Sequence, residues 1–290
     1  MPRRFLSPVL CCLVFLCIFQ LSARAQDKEA SGDKDDMQKL TQESSNPVGS
    51  LWMITNQFNW NLLQSPKGGP FKDPKTQFNY NFQPVLTFDL PRDSRLIVRP
   101  VVPVYNTPYA AGLHDVDEKF GLGDSEFMAM VAPNAGNSKF LLGFGPTAVF
   151  PTATDKRLGN GKWQLGGAFA AVYMDEKWVI GIFPQQWWSV GGDPSRKEVS
   201  LTKAQYFLWY SPATTWQVGM SPNILIDWMQ KNADEALTLP VGLGVAKLVK
   251  LGKLPVKLSV EADYSVIRPR SAGTEWTFKF TITPILPKLF

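Results

Sequence analysis

The side chains best equipped for chemistry cluster near the end of the chain. Glu261 and Asp263 stand two residues apart, Lys257 lies just before them, and Lys279 follows on the next alternating run. Two carboxylates on one strand face can divide acid and base work. Beside Lys257 and Lys279 they read instead as charge compensation in a lumen, or as a constriction that sorts solutes by charge. A second cluster is His114-Asp115-Val116-Asp117-Glu118. Its imidazole and carboxylates, His114, Asp115, Asp117 and Glu118, are a cation-site candidate in a long loop. The spacing lacks the glycine of a calcium loop, so a solvated loop is the plainer reading.

His114 is the single histidine, so one chain cannot build a multi-histidine zinc site. Serine–histidine chemistry would need His114 as its base, and no nucleophile motif accompanies it. Gly143-Phe144-Gly145, Gly166-Gly167 and Gly242-Leu243-Gly244 do not lead from a strand into a helix. They therefore fail as phosphate cradles. We expect no enzymatic activity, no cofactor and no bound metal.

The elements that would position these groups begin after a leader. Arg3 and Arg4, the apolar run Val9–Phe19 and Ala23-Arg24-Ala25 have the layout of a secretory signal peptide over residues 1–25. The run is shorter than the roughly 20 residues of a spanning helix. Cys11, Cys12 and Cys17, the only cysteines, all lie in it, so the mature chain has no disulfide and no thiolate ligand. The leader holds three of the 30 basic residues, which leaves 27 against 25 acidic. That balance, without a basic stripe, makes nucleic acid an unsuitable partner. Residues 26–46 are polar and lack an aromatic residue, and they read as a flexible periplasmic tail. They show no apolar face for a packed helix.

From residue 47 onward the apolar residues alternate. Phe78, Tyr80, Phe82, Leu86 and Phe88 sit between polar neighbours, as do Val256, Leu258, Val260, Ala262, Tyr264 and Val266. Side chains at period two point to opposite faces of a strand. The pattern predicts an all-β fold, an antiparallel transmembrane β-barrel of about 12 strands over residues 47–290. The predicted strands span 50–62, 76–90, 94–106, 122–133, 138–150, 163–175, 177–189, 200–211, 214–228, 236–249, 254–267 and 274–286. Short turns alternate with longer links, the longest over 107–121, as in outer-membrane barrels. An even strand count puts both ends on the periplasmic side.

A soluble β-sandwich alternates too. Three features favour the barrel. Trp52, Trp60, Trp163, Trp178, Trp187, Trp188, Trp216, Trp228 and Trp276 fall near strand ends, where a bilayer places its aromatic girdles. Charges sit at mid-strand on the polar faces. Phe290 ends the chain, as in barrels recognised by the outer-membrane assembly machinery. Against these stand Pro84, Pro100, Pro103, Pro146, Pro184, Pro222, Pro240 and Pro284 inside the proposed strands. Each lacks a ladder donor, so each must occupy a bulge, a non-bonded position or the rim.

Several motifs carry a family resemblance. They are Gly145-Pro146-Thr147, Phe150-Pro151-Thr152-Ala153-Thr154-Asp155, Leu158-Gly159-Asn160-Gly161-Lys162-Trp163, Trp188-Ser189-Val190-Gly191-Gly192-Asp193 and Pro240-Val241-Gly242-Leu243-Gly244-Val245. Together they resemble the bacterial outer-membrane proteins labelled meta-pathway phenol-degradation proteins or transporters, also filed as neuromedin U. The resemblance covers most of residues 47–288. It implies an outer-membrane β-barrel serving uptake of aromatic or other hydrophobic compounds, and it supplies no catalytic residues.

The reading that follows is a channel or transporter in outer-membrane lipid, passing a small solute through a narrow lumen of mixed charge. Its lumen residues are Arg99, Glu126, Lys203, Lys257, Glu261, Asp263 and Lys279. The alternative is a surface or secreted β protein that binds a partner through its long loops, 107–121 and 151–162.

Overall fold

Period-two alternation becomes twelve antiparallel strands in a computed structural model, which describes residues 31–64, 73–110, 116–134, 136, 138–270 and 273–288. The strands are β1 (Trp52–Leu63), β2 (Lys75–Leu90), β3 (Ser94–Ala110), a two-part β4 (Val116–Leu122 and Ser125–Pro133), β5 (Phe140–Phe150) and β6 (Lys162–Met174). They continue with β7 (Trp178–Gly192), β8 (Ser200–Ala213), a two-part β9 (Trp216–Met220 and Asn223–Asp227), β10 (Leu237–Leu251), β11 (Leu254–Ile267) and β12 (Thr274–Leu286). Each strand pairs with its chain neighbours, and β1 also pairs with β12 from Trp52↔Leu286 to Leu63↔Thr274. The sheet is therefore a closed barrel, which removes the free edges of an open sheet and excludes the sandwich.

Alternation decides which residues face out. Phe140, Leu142, Phe144, Leu165 and Leu243 are exposed on one face, Phe140 at 69% and Leu243 at 67%. Their strand neighbours Leu141, Thr147 and Gln164 are buried on the other. An apolar outside around an enclosed inside, where apolar side chains such as Leu141 and Met130 alternate in height with polar ones such as Thr147 and Gln164, is the pattern of a barrel set in lipid. Trp163 stacks edge-on against Phe150, and Trp178 packs on Tyr210, both near strand ends. Trp187 departs from the predicted girdle. It turns inward, almost wholly buried, and its Nε1 donates to Thr147 Oγ1 at 3.1 Å. Period two puts it on the same face as Phe183 and Gln185, which also face inward.

The prolines take the positions that closure demands. The β2–β3 register runs through Phe82↔Val102 and Leu86↔Val98, so Pro84 lies opposite Pro100 in an interruption of the ladder. Two residues without N–H groups thus face each other, and neither leaves a partner's donor stranded. Pro222 divides β9, and Pro240 coincides with a register shift between β10 and β11.

Two expectations change. The segment predicted as a flexible tail contains helix α1 (Ser31–Glu43), and Asn46 and Val48 just after it are buried. The predicted long loop 107–121 is mostly strand, because β3 runs to Ala110 and β4 begins at Val116. Tyr109↔Asp117 and Asn106↔Phe120 pair across this extension. The predicted leader 1–25, residues 26–30, His114, Asp115 and Phe290 lie outside the described residues.

Candidate functional site: the barrel interior

Strand parity places Arg99, Glu126, Lys203, Lys257, Glu261, Asp263 and Lys279 on the inner wall, and their contacts cross it. Lys203 on β8 forms an ion pair with Glu126 on β4, and its ammonium lies 5.0 Å from the Trp187 ring. Strands β5, β6 and β7 separate those two along the wall. Only side chains reaching through the interior can make that contact. Arg99 on β3 donates to Gln83 on β2 and lies 5.7 Å from the Phe183 ring on β7.

The second group gathers at the break in β9. Lys279 is 2.9 Å from Glu261 and 3.0 Å from Asp263, all three being almost fully buried. Glu261 accepts from the Ser221 backbone N–H at 2.6 Å and from its hydroxyl at 2.8 Å. Lys279 donates to the Ser221 carbonyl at 3.1 Å. Pro222 ends the first β9 segment, which leaves these backbone groups without ladder partners. The carboxylate and ammonium supply them. Glu261 and Lys279 thus repair the strand break, a role that required the location of Pro222 relative to β11 and β12.

Lys257 belongs to a third arrangement, with α1. Its ammonium donates to Gln217 Oε1 at 2.8 Å and also to the Ser45 hydroxyl. Ser45 in turn donates to Gln217 at 2.7 Å. Gln38 and Gln42 donate to the Glu176 carbonyl in the β6–β7 turn at 2.9 and 2.8 Å. Met37 packs with Met53, Leu248 and Ile285, which are inner-wall residues of β1, β10 and β12. Val48 packs with Ile97, Met128 and Met130. A Cβ at Gly143 would stand 2.8 Å from Val48 Cγ1, so the glycine makes room for this segment. The helix therefore lies inside the barrel at its short-turn end. An apolar face is what a helix needs against an apolar core. Against Gln217, Ser211 and Lys257 a polar helix fits, and for that reason the lack of an apolar face misleads.

Along β1 and β2 the inner wall carries amides in place of charges. Asn59 donates to Asn79 at 2.7 Å, Gln57 to Asn59 at 2.9 Å, Asn61 to Gln77 at 3.2 Å and Thr277 to Asn61 at 2.8 Å. These amides run along β1 and β2, joined by the Thr277 hydroxyl of β12, and satisfy one another.

The cation-site candidate does not assemble among the described residues. Asp117 and Glu118 sit on β4, not in a loop, where Asp117 accepts from the Tyr109 hydroxyl at 2.9 Å and Glu118 from Asn106 at 2.7 Å. No group of three potential metal ligands occurs among the described residues.

The long-loop end is latched. Asp124, at the break in β4, accepts from the backbone N–H groups of Ala153 at 3.2 Å and Asn160 at 2.6 Å. Arg196 donates to the carbonyls of Lys156 at 2.8 Å and Asn160 at 3.1 Å, and also to that of Gly159. The Arg157 backbone N–H holds the Asp155 carboxyl below its ordinary range, with Lys119 assisting. The Ser195 hydroxyl and backbone N–H do the same for Asp193, and Lys162 does so for Glu198.

No protein-family model matches the sequence, and no curated protein matches it. The phenol meta-pathway resemblance therefore has no counterpart there. Among solved structures, the chain is similar to the COG4313 outer membrane channel from Pseudomonas putida F1. The two share 13% identity over 82% of this chain and 97% of that one, with a TM-score of 0.63. The fold is that of an outer-membrane β-barrel. The NanC porin aligns at 8% identity over 82% of this chain and 100% of that one, with a TM-score of 0.49.

Proposed function

We propose that this chain is an outer-membrane channel for small solutes. The observation that carries the proposal is a closed twelve-strand barrel with an apolar outside and an interior crossed by charged contacts. Twelve strands enclose a narrower bore than the 16–18 of general porins. Passage is passive, and no chemical step is assigned to any residue. Arg99, Glu126 and Lys203 make contacts that cross the bore, while Lys257 holds α1 and Glu261, Asp263 and Lys279 hold the β9 break. The similarity to a channel of the same fold supports this reading, as does the motif resemblance, which adds aromatic or hydrophobic compounds as the solute class.

The arrangement in the membrane follows. Residues 1–25 direct export, Phe290 engages the assembly machinery, and the short-turn end, where both described chain ends lie, faces the periplasm. The α1 segment then narrows the periplasmic mouth. Planar-bilayer recording of the detergent-extracted chain tests the proposal. Discrete conductance steps are expected. A barrel that inserts, shows heat-dependent gel mobility and passes no ions with α1 removed would overturn it.

A further inference from the structure

The interior is short of hydrogen-bond acceptors. Four buried side-chain N–H groups among the described residues have no partner: Arg95 Nε, Arg99 Nε, Gln164 Nε2 and Asn46 Nδ2. Only one acceptor, Asp263 Oδ1, is in the same state. Leaving a buried donor unmade costs roughly 1–3 kcal/mol, and more for a charged group.

Two of those donors are guanidinium groups on one strand. Arg95 and Arg99 flank the wholly buried Ile97 on the inner face of β3. The other inner-wall cations are committed: Lys203 to Glu126, Lys279 to Glu261 and Asp263, and Lys257 to Gln217 and Ser45. No described carboxylate lies within ion-pair distance of Arg95 or Arg99. Glu126 comes nearest in register, since Arg99↔Met128 and Val101↔Glu126 are successive pairs on the inner face, but Lys203 holds it. Water can satisfy an N–H, yet it cannot neutralise a desolvated charge.

We propose that Arg95 and Arg99 bind the carboxylate of a small organic anion as it passes, so that the channel prefers anionic solutes. A guanidinium presents paired donors that match a carboxylate's two oxygens. Phe183 and Trp187 are almost wholly buried against Arg99 and Lys203, so the guanidinium fork, not an apolar pocket, carries the recognition of the carboxylate. The inference rests on the channel reading and adds the charge and class of its solute.

The test uses the detergent-extracted full chain, with benzoate, benzylamine and benzyl alcohol as probes. In a potassium chloride gradient the reversal potential is expected to show chloride preference. Benzoate is expected to block the current in a concentration-dependent way, at levels where benzylamine and benzyl alcohol do not. R99Q should weaken the block about tenfold or more, as loss of a charge-assisted bond implies. R99K keeps the charge without the fork, so chloride preference should survive while the block weakens. Equal block by all three probes, or a block unchanged in both R95Q and R99Q, would overturn the inference and leave the channel standing. If no current flows even with α1 removed, the channel reading fails instead. Benzoate quenching of tryptophan emission, in wild type against R99Q, then decides the binding site by itself: no difference between the two sinks it.

Discussion

Lys203 and Glu126 meet although three strands of wall separate them. Their ion pair is a chord across the barrel interior. Removing the lysine leaves a partly buried carboxylate without its cation, while removing both leaves neither group stranded. K203M is expected to destabilise the barrel by about 1–3 kcal/mol, and the E126Q/K203M pair by less. Both should conduct better than wild type because the chord is gone. Unfolding in urea followed by tryptophan emission, together with single-channel steps, checks both halves.

Lys257 ties α1 to the wall through Ser45 and Gln217. K257M removes a charge-assisted pair of bonds, each of which contributes roughly 1.5–3 kcal/mol. The expected result is a segment 31–50 that proteases cut faster and a larger single-channel step. Deleting residues 31–46 should enlarge the step further. Unchanged steps in both variants would show that α1 does not narrow the path.

The Glu261–Lys279–Asp263 cluster supports the broken strand as well as the interior charge. K279M leaves two buried carboxylates and the Ser221 carbonyl without their cation. A loss of about 3–5 kcal/mol is expected, the range for breaking a buried pair. E261Q retains an acceptor for the Ser221 N–H and should cost less. Thermal shift of gel mobility orders the two variants, and an E261Q barrel weaker than K279M would contradict the repair role.

The loop latch should weaken in acid. Asp155, Asp193 and Glu198 have folded carboxyls held below their ordinary values. A depressed folded pKa contributes stability that is fully present above the unfolded value, near 4, and is lost as pH falls through the folded one. Loops 151–161 and 193–199 should therefore resist proteolysis from pH 7 down to about 5 and become accessible below about 4. Accessibility that rises instead above pH 7 would reverse the sign and refute the assignment.

Much of the architecture follows from the chain's own periodicity. Twelve strands were expected, and twelve form, with β11 at 254–267 and β12 at 274–286 matching their predicted spans. Period two is a local property of backbone geometry, so Lys257, Glu261 and Asp263 could be put on one face without knowing the fold. The Asn and Gln rows of β1 and β2 likewise sit inward because Phe78, Tyr80 and Phe82 sit outward.

Tertiary structure alone decided what those inward groups meet. Lys203 and Glu126 are 77 residues apart, and their contact depends on strand order and closure. Glu261 reaches Ser221 because Pro222 breaks β9 at the height where β11 presents its carboxylate. The polar segment 31–43 folds as a helix and docks because a closed interior supplies both hydrogen-bond partners and apolar contacts, a partner that no local sequence pattern reports. Sequence determines which face a side chain occupies, since that depends on its neighbours along the strand. Pairings across the bore depend on the curvature of the whole sheet, and only the closed barrel supplies it.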